Sequence, residues 1–362
     1  MSKNTPYYLG FSHCFGIGPL RFIALKKHFG SAEKAYKSGE KDLEKIIPRY
    51  FVQSFINFRS KFDPSEKLKE LAAKQIYVLS QDDELFPRQL INIPDPPICL
   101  YVKGDLGKID FANDFLIGVV GTRKPTSYGQ QVAEKFVTEL ATAGFVIVSG
   151  MAMGIDTVAH QAAINFHGKT VAVLGCGVDI VYPQINYRLY QKIVKENGVV
   201  ISEFPPGQFV KKGLFVARNR LISGLSKGVL VVEGAADSGA LITARYAAEQ
   251  GKEVFAPPGP LTSSMSQAPN LLLKQGAKMV TSVEDILEEF NLKLIPKKKE
   301  TISARLGLQE KNIFNFISIE PRSVDEIVEK TGIAINQVMK TLSLLEIDGI
   351  LEKNSEAKYQ VK

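Results

Sequence analysis

The chain has 362 residues, 45% hydrophobic and 23% charged, with a formal net charge of +7. That length exceeds one comfortable core and predicts two or three domains of ordinary globular composition. It holds no apolar run long enough to span a bilayer and no charged-then-apolar signal sequence at its start. Three scattered cysteines and four histidines give neither a disulfide framework nor a paired metal spacing. A cytoplasmic, reduced setting away from membranes is expected.

The positive charge is unevenly placed. Residues 1–75 hold 14 Lys/Arg against 7 Asp/Glu, residues 76–295 hold 20 against 21, and residues 296–362 hold 11 against 10. The excess therefore lies in the N-terminal segment, which suits either contact with a polyanion or a solvated lysine-rich helical surface.

Residues 9–75 read as helical, with turns near 16–19, 29–31 and 38–39. The Gly16-Ile17-Gly18-Pro19 turn resembles that of a helix-hairpin-helix, and it equally suits two packed helices joined by glycines. Residues 1–75 form one expected helical domain. At residue 76 the pattern changes: residues 77–79 and 98–102 read as strands around Pro94-Asp95-Pro96-Pro97. Proline cannot donate to a ladder, so this pair belongs at a sheet edge.

From Leu116 onward strand and helix alternate. Expected strands cover 116–120, 146–148, 170–174, 199–202, 229–232, 254–256 and 278–280. Expected helices cover 128–143, 186–196, 219–225, 240–250 and 283–290, with another starting near Asp156. Fully apolar strands separated by helices predict a doubly wound, mostly parallel α/β sheet over residues 76–291, covered on both faces. Residues 292–301 read as a charged linker. In residues 302–362, helical patterns at 308–317, 324–330 and 335–345 precede two short strands at 350–352 and 359–361, the pattern of a winged helix. Its near-zero charge argues for a protein contact over strong duplex binding.

Ligands of such sheets bind at the carboxyl ends of the strands. There the chain places Gly121-Thr122-Arg123-Lys124, Ser149–Asp156 and Gly175-Cys176-Gly177. A nicotinamide cofactor needs G-x-G-x-x-G after the first strand and an acidic residue ending the second, and both are missing. The chain also lacks the P-loop signature of an ATPase, so no cofactor is expected. A nucleotide hydrolase of the lysine-decarboxylase-like type remains an alternative, with Glu203 and Glu233 at strand ends as its carboxylates. The other reading is a platform that binds single-stranded nucleic acid through positive glycine loops. Asp156 is expected to cap the helix that follows it, and His160, one turn on, either pairs with it or packs.

Several ordered motifs then match a family. F-P-R-Q-L (86–90), P-D-P-P-I-C-L-Y-V-K-G (94–104), V-G-T-R-K-P-T-S-Y-G (120–129), I-V-S-G-M-A-M-G-I-D-T-V-A-H (147–160), R-N-R-L-I-S-G-L-S (218–226) and S-G-A-L-I-T-A (238–244) closely resemble the DNA-processing protein A family, DprA/Smf. The resemblance covers residues 76–285 and implies an extended Rossmann-like sheet domain. It is compatible with a SAM-like or helix-hairpin-helix segment before the sheet and a winged helix after it. It implies a non-enzymatic homodimer that binds single-stranded DNA and loads RecA recombinase onto it in natural transformation. It also places Gly121, Thr122, Arg123 and Lys124 in the DNA pocket and Gly175 and Gly177 on a second pocket wall. Arg218 and Arg220 are further candidates, with structural ion pairing as their alternative. Two departures bear on loop shape: Val216 stands where the family has proline, and the 264–272 stretch lacks the family's glycine.

Overall fold

The computed structural model describes residues 2–292, 307–317, 320–347, 350–354 and 358–361. The chain divides into two compact units, Met1–Leu294 and Ile295–Lys362. Apart from Leu292, the expected linker at 292–301 lies outside the described residues.

The first unit opens with six helices: α1 (Thr5–His13), α2 (Pro19–Phe29), α3 (Ala32–Lys37), α4 (Glu40–Leu43), α5 (Arg49–Arg59) and α6 (Pro64–Ala73). Gly16 turns the chain between α1 and α2 at φ +94, a conformation that glycine adopts without strain. These helices share one apolar cluster with the sheet, in which Tyr8, Phe11, Phe22 and Phe55 meet Ile76, Val78, Tyr101 and Val200. The helical segment and the sheet therefore belong to the same compact unit.

The sheet has nine strands: β1 (Tyr77–Ser80), β2 (Cys99–Gly104), β3 (Leu116–Val120), β4 (Val146–Ser149), β5 (Lys169–Val173), β6 (Gly198–Ser202), β7 (Gly228–Val231), β8 (Glu253–Ala256) and β9 (Lys278–Met279). Their order is β1-β2-β6-β5-β4-β3-β7-β8-β9. β2 runs antiparallel to β1 and β6, and the pairs from β6 across to β9 are parallel. The proline-rich connection thus joins strands at one edge, as its missing N–H donors require. Successive strand residues alternate between the two faces. Leu116, Val120, Val146 and Val148 pack on one side, and Ile117, Val119 and Ile147 on the other.

The crossover helices are α7 (Ser127–Thr142), α8 (Ile155–Asn165), α9 (Tyr187–Lys195), α10 (Lys212–Leu225), α11 (Gly239–Glu249), α12 (Gln267–Lys274) and α13 (Val283–Glu289). Two differ from expectation. α10 begins seven residues before Asn219, and α12 occupies a stretch with no expected helix. The chain moves outward from β3 through β4, β5 and β6, then returns to pair β7 with the opposite side of β3. The reversal of strand order therefore falls at β3 and β7, where such sheets open a crevice.

The second unit holds α14 (Leu308–Ile317), α15 (Val324–Thr331), α16 (Ile335–Ile347) and an antiparallel pair, β10 (Leu351–Lys353) with β11 (Tyr359–Val361). Phe314, Ile327, Val338, Leu342 and Tyr359 form its core. Ser323 and Glu326 close a capping box at the start of α15, and Gly332 ends that helix in the left-handed region. Three helices and a β-ribbon are the winged-helix arrangement. α16 exposes Ile335, Met339 and Leu344 together with Asn336, Gln337 and Lys340, a mixed surface.

Candidate nucleic-acid interface

β3 ends at Val120, and the following loop is held from two sides. The Thr122 N–H donates to the Glu233 backbone oxygen at 2.7 Å, and the Thr122 oxygen accepts from the Ile155 N–H at 3.1 Å. Gly121 is close-packed: a Cβ there would lie 2.6 Å from the Ile155 side chain and 3.0 Å from the Glu233 oxygen. Gly154, at φ +82, rests against the backbone of Thr122 and Arg123, where a Cβ would collide with both. The second glycine loop is therefore a clamp on the first. It presents Arg123 and Lys124, both exposed, at the strand end.

The N-terminus of α7, just beyond this loop, is where a nucleotide phosphate would sit in a cofactor-binding sheet. Here the chain's own Glu233 carboxylate fills that place. It accepts the Thr126 N–H at 2.9 Å and the Thr126 hydroxyl at 2.6 Å, and it lies where a Cβ on Gly129 would go. Glu203, the other candidate carboxylate, accepts from Arg220 at 2.7 Å. Both are engaged in holding the fold together.

Arg123 meets α10. Its guanidinium carbon lies 5.7 Å from the centre of the Phe215 ring, within cation–π reach, and the Tyr182 ring stands 5.5 Å from Phe215. Tyr182 is 44% exposed, enough to offer a ring face to a ligand. Lys211 and Lys212 are exposed at the start of α10. Among the described residues no side chain caps that end, and its first turn holds no acidic residue. Two lysines at the positive end of a helix dipole are unfavourable alone and become favourable beside an anion.

The remaining expected site residues are placed differently. Gly175 and Gly177 are buried against the protein's own atoms. A Cβ on Gly175 would lie 3.0 Å from Phe215, and one on Gly177 would lie 2.8 Å from the Pro205 oxygen. The Gly177 N–H donates to the Gln208 oxygen at 2.9 Å, so it is committed within the protein. Arg218 and Arg220 are each only 3% exposed, which removes them from direct phosphate contact. Arg218 donates to the Gly150 oxygen at 2.7 Å and to the Val173 oxygen. Arg220 pairs with Glu203 and, at 2.7 Å, with Asp95. Burial works against the Arg220 charge, but these two carboxylates raise its pKa.

Asp156 is also reassigned. The N-cap of α8 is Gly154, and the Asp156 carboxylate reaches back to accept the Gly150 and Ala152 N–H groups at 3.2 and 3.3 Å. Burial pushes its pKa up, opposed by Arg218. His160 does not pair with Asp156. Its Nδ1 bonds the Thr170 hydroxyl at 2.7 Å, and burial pushes its pKa down to about 3. Among the described residues, no group of three or more His, Cys, Asp or Glu is placed to hold a metal.

Sequence reasoning missed Lys211, Lys212, Phe215 and Tyr182 as site residues. The adjacent Lys-Lys-Gly-Leu-Phe run at 211–215, basic residues beside an aromatic, is the signal that could have found the first three.

The fold and these loops define a doubly wound α/β protein with a cationic, aromatic-flanked strand-end site in place of a nucleotide fingerprint. Residues 77–291 match the family model described as DNA recombination-mediator protein A, and residues 297–354 match the DprA winged helix domain. The chain belongs to the DNA recombination-mediator protein A family. It is 34% identical to Protein Smf of Synechocystis sp., with 99% of each chain covered, and 39% identical to Protein Smf of Escherichia coli, with 82% and 80% covered. Its fold is similar to the X-ray structure of DprA from Streptococcus pneumoniae, with TM-score 0.69, 34% identity, and 80% of this chain and 98% of that one covered. It is also similar to DNA processing protein A from Helicobacter pylori, with TM-score 0.54, 31% identity, and 60% and 96% covered. That structure is described as giving insight into a single-stranded DNA binding mode.

Proposed function

We propose that the chain binds single-stranded DNA across the carboxyl ends of β3, β4 and β5, and that it does no chemistry on the strand. The observation that carries this reading is the meeting of exposed Arg123 with Phe215, itself beside Tyr182, at the lysine-led start of α10. Phosphates lie along Arg123, Lys124, Lys211 and Lys212, and bases stack on the rings. The engagement of Glu203 by Arg220 and of Glu233 by Thr126 supports a binding role over the hydrolase alternative. Titration of labelled oligonucleotide at several salt concentrations tests it. Arg123→Ala should weaken binding and lower the slope of log affinity against log salt by about 0.7, the value for one contact to a single strand. An unchanged slope and affinity would remove Arg123 from the site.

The bound strand is handed to RecA recombinase in the cytoplasm during natural transformation, a reading supported by the family's description as a recombination mediator. Filament formation on precoated DNA, with and without this protein, tests the handover. The exposed edge at β9, where Met279 is 57% exposed, supports a homodimer built through the sheet unit, which light scattering measures directly.

A further inference from the structure

Arg218 is the first buried residue of α10. Lys212, Gly213 and Val216 ahead of it are exposed, and Leu214, Phe215 and Ala217 are half-buried, while Leu221, Ile222 and Leu225 anchor the rest of the helix in the core. The head of α10 therefore depends on a guanidinium where an apolar side chain would suffice for packing. Burying that charge is costly, so the site gains from it something an apolar residue would not supply.

The guanidinium bonds the backbone oxygens of Gly150, just after β4, and Val173, the last residue of β5. A Cβ on Gly150 would lie 2.5 to 2.7 Å from its atoms, so that glycine makes room for it. Asp156 balances the charge and holds the Gly150 and Ala152 N–H groups of the second loop. That loop ends at Gly154 against Arg123, while Phe215, three residues before Arg218, packs on Gly175 and faces Arg123. One side chain thus joins the head of α10 to two of the three strand ends that carry the glycine loops, those of β4 and β5.

We infer that Arg218 is a positioning residue: it sets the head of α10, with Phe215 and Lys212, against the glycine loops in the arrangement that receives the strand. The inference rests on the single-stranded DNA reading of the site. Its test has one arm that needs no DNA. In the free protein, Arg218→Met should speed amide hydrogen exchange at 212–217 and 150–154 by about tenfold or more and leave 221–225 unchanged. In DNA titrations below the unfolding temperature, Arg218→Met should lower affinity about tenfold. In a Phe215→Ala/Lys212→Ala background the loss should shrink to about twofold or less. Gly150→Ala presses on the same guanidinium from the loop side. It should reproduce both results, and it carries the test if Arg218→Met does not fold. Unchanged exchange at 212–217, or an equal affinity loss in both backgrounds, overturns the inference. If the wild-type protein ignores single-stranded DNA while the exchange pattern holds, the reading of the site fails and the coupling of α10 to the loops stands.

Discussion

The loop after β3 and the head of α10 meet at one end of the sheet, and each carries arginine to opposite effect. Arg123 stands in water on a backbone fixed by Glu233 and Ile155, its guanidinium left to meet a ring and a ligand. Arg218 and Arg220 lie in the core, their donors given to backbone oxygens and to Glu203 and Asp95. Exposed cations contribute little to folding and are available for phosphate, whereas buried ones are tied to the fold and removed from ligand. The same side chain is thus left free for a ligand in one region and supplies architecture in the other.

That contrast can be broken in several ways. Arg220→Ala should have the largest effect: Glu203 is left buried without its partner, and stability falls by about 3–5 kcal/mol in chemical denaturation. The affinity of the folded fraction should stay near wild type, and a loss of affinity without loss of stability would return Arg220 to the site. Gly154→Ala should cost about 1–3 kcal/mol from backbone strain and also weaken DNA binding, because the clamp on Thr122 and Arg123 shifts. Its two effects should appear together in melting and titration.

Acid extends the test to the buried groups. Burial pushes His160 down to about 3 and His13 to about 4, from an ordinary value of 6.5. Between pH 6.5 and about 4 the unfolded chain takes up protons that the folded one excludes, so stability falls as pH falls through that window. The loss reaches up to about 2 kcal/mol per histidine at pH 5. Asp156, whose pKa burial raises, acts in the opposite sense. Melting temperature followed from pH 7 to pH 5 should fall, and His160→Asn should flatten the decline. Smallest of all, Arg123→Ala should leave stability within about 0.5 kcal/mol while it weakens binding. A stability loss comparable to that of Arg220→Ala would erase the distinction between the two regions.

Much of this was legible before the structure. The apolar runs marked the β3–β8 strands within a residue, because strands covered on both faces must be apolar throughout. α12 escaped because Pro269 and a serine-rich approach mask its start, although proline is compatible with a first helical turn. The head of α10 escaped because Gly213 interrupts a segment with two exposed lysines and no buried face until Arg218. The burial of Arg218 and Arg220 was legible only as the alternative of structural ion pairing, which Arg220 adopts with Glu203 and Asp95. Arginine reads as a surface residue, and the partners that draw these two inward come from residues as far away as Gly150 and Asp95. What Gly175 and Gly177 pack against was not legible for a related reason: a glycine that makes room for a ligand is spelled like one that makes room for Phe215, as Gly175 does, or for Pro205 and Pro206, as Gly177 does.

Glu233 has a consequence for selectivity. By holding its carboxylate at the N-terminus of α7, the chain fills the helix end after β3, where a nucleotide-binding sheet grips a phosphate. What remains is a row of separate, individually weak cationic and aromatic contacts, and only a polymer can engage them together. On the proposed reading recognition would depend on valency: each added nucleotide would find its contact at high effective concentration, while free nucleotides would find none worth keeping. Affinity should climb steeply with oligonucleotide length, and millimolar mononucleotide should compete poorly, so that free nucleotides would not fill the site.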